Sequence, residues 1–238
     1  MTEVSVFPDA ETLARTVAEQ LIDLLGSIQA AGRVPSIALT GGTIAAEIYR
    51  AVAQLDSDAV DWTQVDFWWG DERYVPADSS DRNDRGVELD LLDVVGADPA
   101  RVHAMPAADE AHVDVAAAAA AYGQELRTHG GGEFDLVLLG LGPDGHVASL
   151  FPGFPQLDAA DIAVPVTGSP KPPPERVTLT FPALNRAREV WFVVSGEDKA
   201  DAVARALADQ GSVQETPARG ITCDQCTWWL DQPAAGSL

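Results

Sequence analysis

The chain has 238 residues, which is enough to bury a sizeable core, and we expect one α/β domain over residues 1–238. Its formal net charge of −22 argues against nucleic acid or an anionic membrane as a partner, because a basic footprint is missing. Lysine occurs only as Lys171 and Lys199, so arginines must carry most of any anion recognition. There is neither an apolar stretch of the roughly 20 residues that span a bilayer nor a signal-peptide pattern, and we expect a cytoplasmic protein.

Strand and helix patterns alternate through the first half of the chain. Short apolar runs predict strands over residues 4–7, 34–40 and 65–70. Apolar residues at helical spacing predict helices over residues 9–31 and 43–55. Further helices are expected over residues 87–94 and 110–127, the second of which contains six consecutive alanines, 116–121. Asp9 is the expected N-cap of the first helix. The polar segment 76–86 is expected to be a surface loop.

The second half continues the alternation and completes the fold prediction. Further strands are predicted over residues 134–140, 162–166, 176–181, 190–195 and 227–230, with a helix over 196–209. The pattern predicts a mostly parallel, doubly wound α/β sheet with helices on both faces. Ligands of such folds bind beyond the carboxyl ends of the strands, where segments 40–43, 70–73 and 140–146 are expected to meet.

The segment Gly140-Leu141-Gly142-Pro143-Asp144-Gly145-His146 is the most informative in the chain. It follows a buried-strand pattern and delivers a histidine, the side chain best suited to proton transfer near neutral pH. Its glycines also fit the dinucleotide-binding spacing. That motif requires a long helix after the last glycine, whereas Pro152-Gly153 would stop a helix here after about two turns.

Two other strand ends carry anion-binding chemistry. Thr40-Gly41-Gly42-Thr43 stands between a strand and a helix, where backbone amides and hydroxyls can form an anion pocket. A tight turn without a ligand is the alternative. In Asp71-Glu72-Arg73 the arginine can recognise phosphate, or the segment can be a surface salt-bridge cluster. Lys199, in the first turn of a predicted helix, opposes the helix dipole unless an anion compensates it.

The remaining reactive side chains favour ordinary structural roles. We expect His103, His112 and His129 to be solvated or structural, because none has a glycine-rich setting. Cys223 and Cys226 are expected to be free thiols, with a redox pair as the alternative, and a zinc site would need two more ligands. The tryptophans on predicted strands are expected to pack in the core.

Several segments together resemble the 6-phosphogluconolactonase family, in the expected order along almost the whole chain. They are Trp69-Gly70-Asp71-Glu72-Arg73 with Asp81-Arg82-Asn83, residues 140–152, residues 176–180, Pro182-Ala183-Leu184-Asn185 and residues 196–200. One departure is Thr40-Gly41-Gly42-Thr43-Ile44-Ala45, where the family often reads Ser-Gly-Gly-Ser-Thr-Pro. The lost proline puts the fine geometry of that turn in doubt.

The resemblance implies the fold shared with glucosamine-6-phosphate deaminases and ribose-5-phosphate isomerases. It also implies hydrolysis of 6-phospho-D-glucono-1,5-lactone, a sugar phosphate, without metal or organic cofactor, by a monomer or small homo-oligomer. By analogy, His146 is the general base and Asp71 orients His146 or a substrate hydroxyl. Amides of Gly142 to Gly145 are candidates for the oxyanion. The implied substrate- and phosphate-binding residues are Gly41, Gly42, Thr43, Arg73, Gly142, Asp144, Gly145, Arg176 and Lys199, with Lys171 as a further candidate.

Two rival functions and one rival mechanism stay open at this point. Glucosamine-6-phosphate deaminases also carry Asp-Gly-His but continue towards Asn-Glu-Pro, whereas this chain has Ser149-Leu150-Phe151-Pro152. A non-catalytic sugar-phosphate sensor would keep the fold without activity. Ser149 could suggest a serine-histidine hydrolase, but no Gly-x-Ser-x-Gly elbow surrounds it, so direct attack by water is favoured.

Overall fold

The computed structural model describes residues 2–55, 57–109 and 114–238. Within these ranges, six strands form one parallel sheet in the order β1-β9-β8-β5-β2-β3. Its strands are β1 (Thr2–Phe7), β2 (Ser36–Leu39), β3 (Asp66–Trp69), β5 (Leu136–Leu139), β8 (Glu189–Val194) and β9 (Gln225–Asp231). The predicted mostly parallel sheet is thereby confirmed.

A second sheet was not predicted. It is antiparallel, with the order β4-β7-β6, and contains β4 (Asp71–Arg73), β6 (Ala163–Val166) and β7 (Arg176–Leu179). Gly70 joins the two sheets: its N–H donates to Leu39 O at 3.0 Å, while its carbonyl accepts from Leu179 N at 2.8 Å. The chain therefore passes from β3 into β4 without a loop.

The helices agree with the predictions except near residue 85 and at Phe181–Leu184, a short helix that begins where the predicted strand 176–181 was expected to end. They are α1 (Ala10–Ala30), α2 (Thr43–Gln54), α3 (Asn83–Val87), α4 (Asp93–Val95), α5 (Val115–His129), α6 (Phe181–Leu184) and α7 (Ala200–Leu207). A π-helical segment, Glu88–Leu92, joins α3 to α4. The predicted loop 76–86 is wrong at its end, because α3 already begins at Asn83. The first residues of the predicted helix 110–127, 110–113, lie outside the described residues.

Burial of apolar side chains explains how α1 packs on the parallel sheet. Apolar residues of α1 recur on one face, and that helix packs against α2 and against β1 and β9. The predicted N-cap is confirmed, since the Asp9 carboxylate accepts from Thr12 N at 2.8 Å and this bond lowers the pKa of Asp9. Trp68 and Trp69 are fully buried, as expected for core residues. None of the described helices is long and apolar enough to cross a membrane.

Two buried tyrosines complete the hydrogen bonding at the strand ends that lead to the site. Tyr49 Oη accepts from Thr40 N at 3.1 Å and donates to Thr40 O at 2.8 Å, just after β2. Tyr122 Oη makes the same pair of bonds with Trp69 at the end of β3. Burial raises the pKa of both phenols, so each hydroxyl keeps its proton to donate.

Cys223 and Cys226 form a disulfide, so the expectation of free thiols is wrong. Their Cα atoms are 5.7 Å apart, within the range that a disulfide bridges. The three-residue spacing brought the sulfurs together at the start of β9.

Glu72 is a buried carboxylate on β4 that binds the backbone at the start of α3. It accepts hydrogen bonds from the backbone N–H groups of Arg73 and Asn83, both at 2.7 Å, and of Asp84 at 2.8 Å. Burial and the charge of Asp84 raise the pKa of Glu72 to about 7, against the backbone hydrogen bonds and the charge of Arg82, which lower it. The carboxylate therefore organises the segment that carries Arg73.

The raised pKa of Glu72 predicts a pH dependence of stability. A folded-state pKa of about 7 against a model value of 4.5 means that the folded state binds the proton more tightly. We expect the free energy of unfolding to fall as pH rises through this interval, and the fall to be smaller in Glu72→Gln. Urea unfolding at several pH values measures it, with the exposed Glu133→Gln as control. An equal fall in Glu72→Gln would contradict the assignment.

Candidate active site

A cleft of about 520 Å³ lies at the carboxyl ends of the parallel strands. It opens beside β2 and β5, between which the strand order reverses, the place where ligands of such sheets bind. The three strand-end segments 40–43, 70–73 and 140–146 all contribute to its wall, so the structure brings together what the sequence separated. Ten of the predicted residues line it: Gly41, Gly42, Thr43, Asp71, Arg73, Gly142, His146, Lys171, Arg176 and Lys199.

The turn after β2 exposes the start of α2 to the cleft. Gly42 is the N-cap residue with φ 104°, a conformation that favours glycine, and no side chain caps the helix. The first N–H groups of α2 therefore lack intrahelical partners beside Thr43. Amides in this position attract anions, so the turn has the geometry predicted for an anion pocket despite the missing proline.

Gly142 allows the His146 ring to fold back over its own turn. A Cβ at residue 142 would lie 2.0 Å from His146 Nδ1, so only glycine fits there. The turn is closed by bonds from Gly142 N to His146 O at 2.9 Å and from Gly145 N to Gly142 O at 2.8 Å. Because these two amides already donate within the turn, they are not available to an oxyanion, and the prediction is corrected for Gly142 and Gly145; for the backbone N–H of Asp144 it stays a prediction.

His146 is paired with Asp144. The two side chains approach with 2.5 Å between Nδ1 and the carboxylate Oδ1, and the His146 side chain is 15% exposed. Burial acts to raise the pKa of Asp144, but the hydrogen bond and charge of His146 outweigh it and lower the pKa to about 2. Asp144 is thus an ionised acceptor that fixes the ring. Asp144 and Gly145 do not themselves appear among the described residues that line the cleft.

Asp71 does not pair with His146 but with other groups. Its Oδ2 accepts a hydrogen bond from the Ser149 hydroxyl at 2.6 Å and lies 4.0 Å from Arg176 Nη1. The expectation that Asp71 orients His146 is therefore corrected, since Asp144 does so, while a contact with a substrate hydroxyl stays a prediction. Ser149 is fully buried and bonded to Asp71, which agrees with its rejection as a nucleophile.

Arg176 orders the proline-rich loop that borders the cleft. Nε donates to Pro173 O at 3.3 Å, and Nη2 donates to Lys171 O at 3.1 Å and to Pro172 O at 3.3 Å. Burial lowers the pKa of Arg176, although the charge of Asp71 opposes this effect. Most donors of this guanidinium are used within the protein, so its contact with substrate stays a prediction.

Three other cations are better placed to meet an anionic ligand. Arg73 donates from Nη1 to Asp81 O at 2.7 Å, while its buried Nε has no hydrogen-bond partner. Lys199 immediately precedes α7 and is compensated by Asp198, 3.1 Å away. Burial lowers the pKa of Lys171, and the charges of Lys199 and Arg176 add to this, while the charges of Asp144 and Asp198 oppose it.

Some cleft residues were missed by the sequence analysis. Asn83 lines the cleft and donates from Nδ2 to Asp71 O at 3.0 Å. It belongs to the family signature at residues 81–83, which was the available signal. Glu47 also lines the cleft, four residues after Thr43, so helical spacing from the glycine turn could have found it.

The other histidines lie away from the cleft. His103 stacks on Trp68, with ring centroids 3.8 Å apart, and both His103 and His129 approach Glu125 Oε1 at 3.1 Å through Nδ1. Both agree with the predicted solvated or structural role, His103 being largely buried and His129 exposed, whereas His112 lies outside the described residues. The dinucleotide-binding alternative is also wrong, because no helix follows Gly145 in this part of the described chain.

Comparison with protein families gives one match that covers nearly the whole chain. The family model described as glucosamine-6-phosphate isomerases/6-phosphogluconolactonase matches residues 8–229. Among individual relatives, the chain is 45% identical over 246 residues to a 6-phosphogluconolactonase of Streptomyces coelicolor, covering 99% of this chain and 94% of the relative.

Solved structures agree with this match. A 6-phosphogluconolactonase from Thermotoga maritima superposes with a TM-score of 0.85 at 27% identity, over 97% of this chain and 99% of that one. A monomeric glucosamine-6-phosphate deaminase reaches a TM-score of 0.84 over 99% of this chain and all of that one. Its 19% identity shows the fold alone.

Proposed function

This chain belongs to the 6-phosphogluconolactonase family, within the larger group that also contains the glucosamine-6-phosphate isomerases, and from that premise we propose that it hydrolyses 6-phospho-D-glucono-1,5-lactone to 6-phosphogluconate. The observation that carries the proposal is the pairing of His146 with Asp144 in a cleft that also holds Arg73, Lys171 and Lys199. A proton-transfer group and a cluster of cations in one cleft suit a phosphorylated ester.

His146 acts as the general base in the proposed reaction. Asp144, ionised, accepts the hydrogen bond from Nδ1, so Nε2 carries the lone pair that takes a proton from water. The water oxygen bonds to C1 of the lactone. As the bond between C1 and the ring oxygen breaks, the imidazolium returns the proton to that oxygen, and the product is the open carboxylic acid.

The cations and the start of α2 hold the 6-phosphate. Arg73 lines the cleft, and the first N–H groups of α2, beside Gly42 and Thr43, are uncapped. Lys199 and Lys171, which also line the cleft, add positive charge. Binding energy from this remote group aligns the lactone carbonyl with His146, which raises the rate of the chemical step.

Arg73→Ala tests the phosphate assignment. We expect KM for the phosphorylated lactone to rise about tenfold, because a charge-assisted hydrogen bond contributes roughly 1.5–3 kcal/mol. The turnover number should change much less. Steady-state kinetics and titration with the product measure both quantities, and Arg127→Ala, an exposed arginine on α5, is the matched control. An unchanged product affinity in Arg73→Ala would remove Arg73 from the phosphate site.

One assay separates lactone hydrolysis from the rival functions. The purified protein is given freshly generated 6-phosphogluconolactone in one arm and glucosamine 6-phosphate in the other, with uncatalysed controls. We expect accelerated hydrolysis and no release of ammonia. The segment Ser149-Leu150-Phe151-Pro152 supports this outcome, since it lacks the carboxylate of the deaminase pattern. Ammonia release alone would favour a deaminase, and binding without turnover would favour a sensor.

We further propose that residues 1–238 act as one catalytic domain, in the cytoplasm, as a monomer or small homo-oligomer. The family match over residues 8–229 supports the single domain.

A further inference from the structure

We infer that Ser149 is a positioning residue for lactone hydrolysis: it fixes the His146 turn onto the second sheet through Asp71 and Thr178. This inference rests on the proposed function. Ser149 follows His146 by three residues and is fully buried, so it touches neither the cleft nor a substrate. Any effect on catalysis must therefore pass through its partners.

Ser149 binds both members of one cross-strand pair. Its hydroxyl donates to Asp71 Oδ2 at 2.6 Å, and its backbone N–H donates to Thr178 Oγ1 at 3.2 Å. Asp71 and Thr178 face each other in the β4–β7 ladder. The Thr178 hydroxyl donates its own hydrogen bond to Leu179 O at 3.0 Å, so its oxygen is left to accept from Ser149 N.

The backbone between His146 and Ser149 needs such an anchor. Ala148 has φ 49°, in the left-handed region that residues with a Cβ rarely adopt, and it lines the cleft. Strained residues of this kind persist only where their surroundings hold them. The two bonds of Ser149 hold the chain immediately after Ala148, while the bond from Gly142 N to His146 O holds it before.

The same unit reaches the cations on the cleft wall. Asp71 lies 4.0 Å from Arg176 Nη1, and Arg176 binds the carbonyl oxygens of the loop that carries Lys171. The Arg176 guanidinium also lies 5.8 Å from the centre of the Phe151 ring, whose centre is 4.6 Å from that of His146. A continuous series of contacts, here called the circuit, thus runs from the His146 turn through Ser149, Asp71, Arg176 and Phe151 back to the imidazole.

Ser149→Ala tests the inference because it removes one hydroxyl from the circuit. We expect kcat to fall about tenfold with KM within about threefold, since a misplaced base slows the chemical step while phosphate contacts remain. The ring-nitrogen resonances of His146, assigned by their loss in His146→Gln, should shift. Ser36→Ala is the matched control, because the Ser36 hydroxyl is also buried but has no partner and lies outside the cleft.

A double-mutant cycle separates positioning from a merely structural loss. If Ser149 acts through Asp71, the loss in Ser149→Ala/Asp71→Asn should be no larger than that of the worse single variant. Rates are referred to the folded fraction from circular dichroism. Losses that multiply, an unshifted His146 resonance or a kcat within twofold of the wild type would each overturn the inference. If the wild-type protein did not accelerate lactone hydrolysis above the uncatalysed rate, that result would instead refute the proposed function.

Discussion

Replacing His146 by alanine is expected to lower kcat for lactone hydrolysis by about 10²- to 10⁴-fold, the range that general base catalysis contributes. His146 lines the cleft and its Nδ1 is paired with the ionised carboxylate of Asp144, which leaves Nε2 to take a proton from water. Binding of the product should be nearly unchanged, because the phosphate contacts lie elsewhere. Initial rates with fresh lactone and calorimetric titration with 6-phosphogluconate measure the two effects.

The control for this prediction is the uncatalysed rate, since a δ-lactone also opens in water. His129→Ala provides the matched variant: His129 also lies beside a carboxylate, Glu125, but is not one of the residues that line the cleft. Its kcat should equal that of the wild type. If His146→Ala turned over at a near-normal rate, His146 would not be the base.

Asp144→Asn is expected to lower kcat by about 10²- to 10³-fold, while KM changes little. The Asp144 carboxylate accepts from Nδ1 and so selects the tautomer with the lone pair on Nε2. A carboxamide can donate a hydrogen bond to Nδ1 instead. The lone pair would then lie on Nδ1 and the proton on Nε2, so Nε2 could not take a proton from water. The pKa of about 2 keeps Asp144 ionised wherever the protein is assayed.

Steady-state kinetics at neutral pH measure this second effect. Asp23→Asn, a change of the same kind at an exposed position on α1, serves as control and should leave kcat unaltered. A loss in Asp144→Asn of less than about threefold would mean that the carboxylate does not set the tautomer.

The strand-to-helix alternation of the sequence was sufficient to predict the parallel sheet and the meeting of three strand ends. The strands β2, β3 and β5 are mostly apolar, and parallel strands share one carboxyl edge, so the position of segments 40–43, 70–73 and 140–146 follows from local pattern. The second sheet could not be predicted in this way. β4 contains only Asp71–Arg73 and is defined by its pairing with β7, about a hundred residues later.

The roles of individual side chains also depended on distant contacts. Arg176 was expected at the phosphate, but its neighbours in space, the carbonyl oxygens of residues 171–173, use most of its donors. Asp144 was expected to touch substrate, yet the turn closed by Gly142 and Gly145 brings it onto His146. Spacing identifies which residue types are near the site but not which hydrogen bonds they have already made.

A crystal structure with bound 6-phosphogluconate tests the central claim most directly. We predict that the product carboxylate lies within about 3 Å of His146 Nε2, the distance at which proton transfer occurs. The phosphate should contact Arg73 and the first amides of α2. A product bound outside this cleft, or bound in the cleft with its phosphate against His146, would contradict the account.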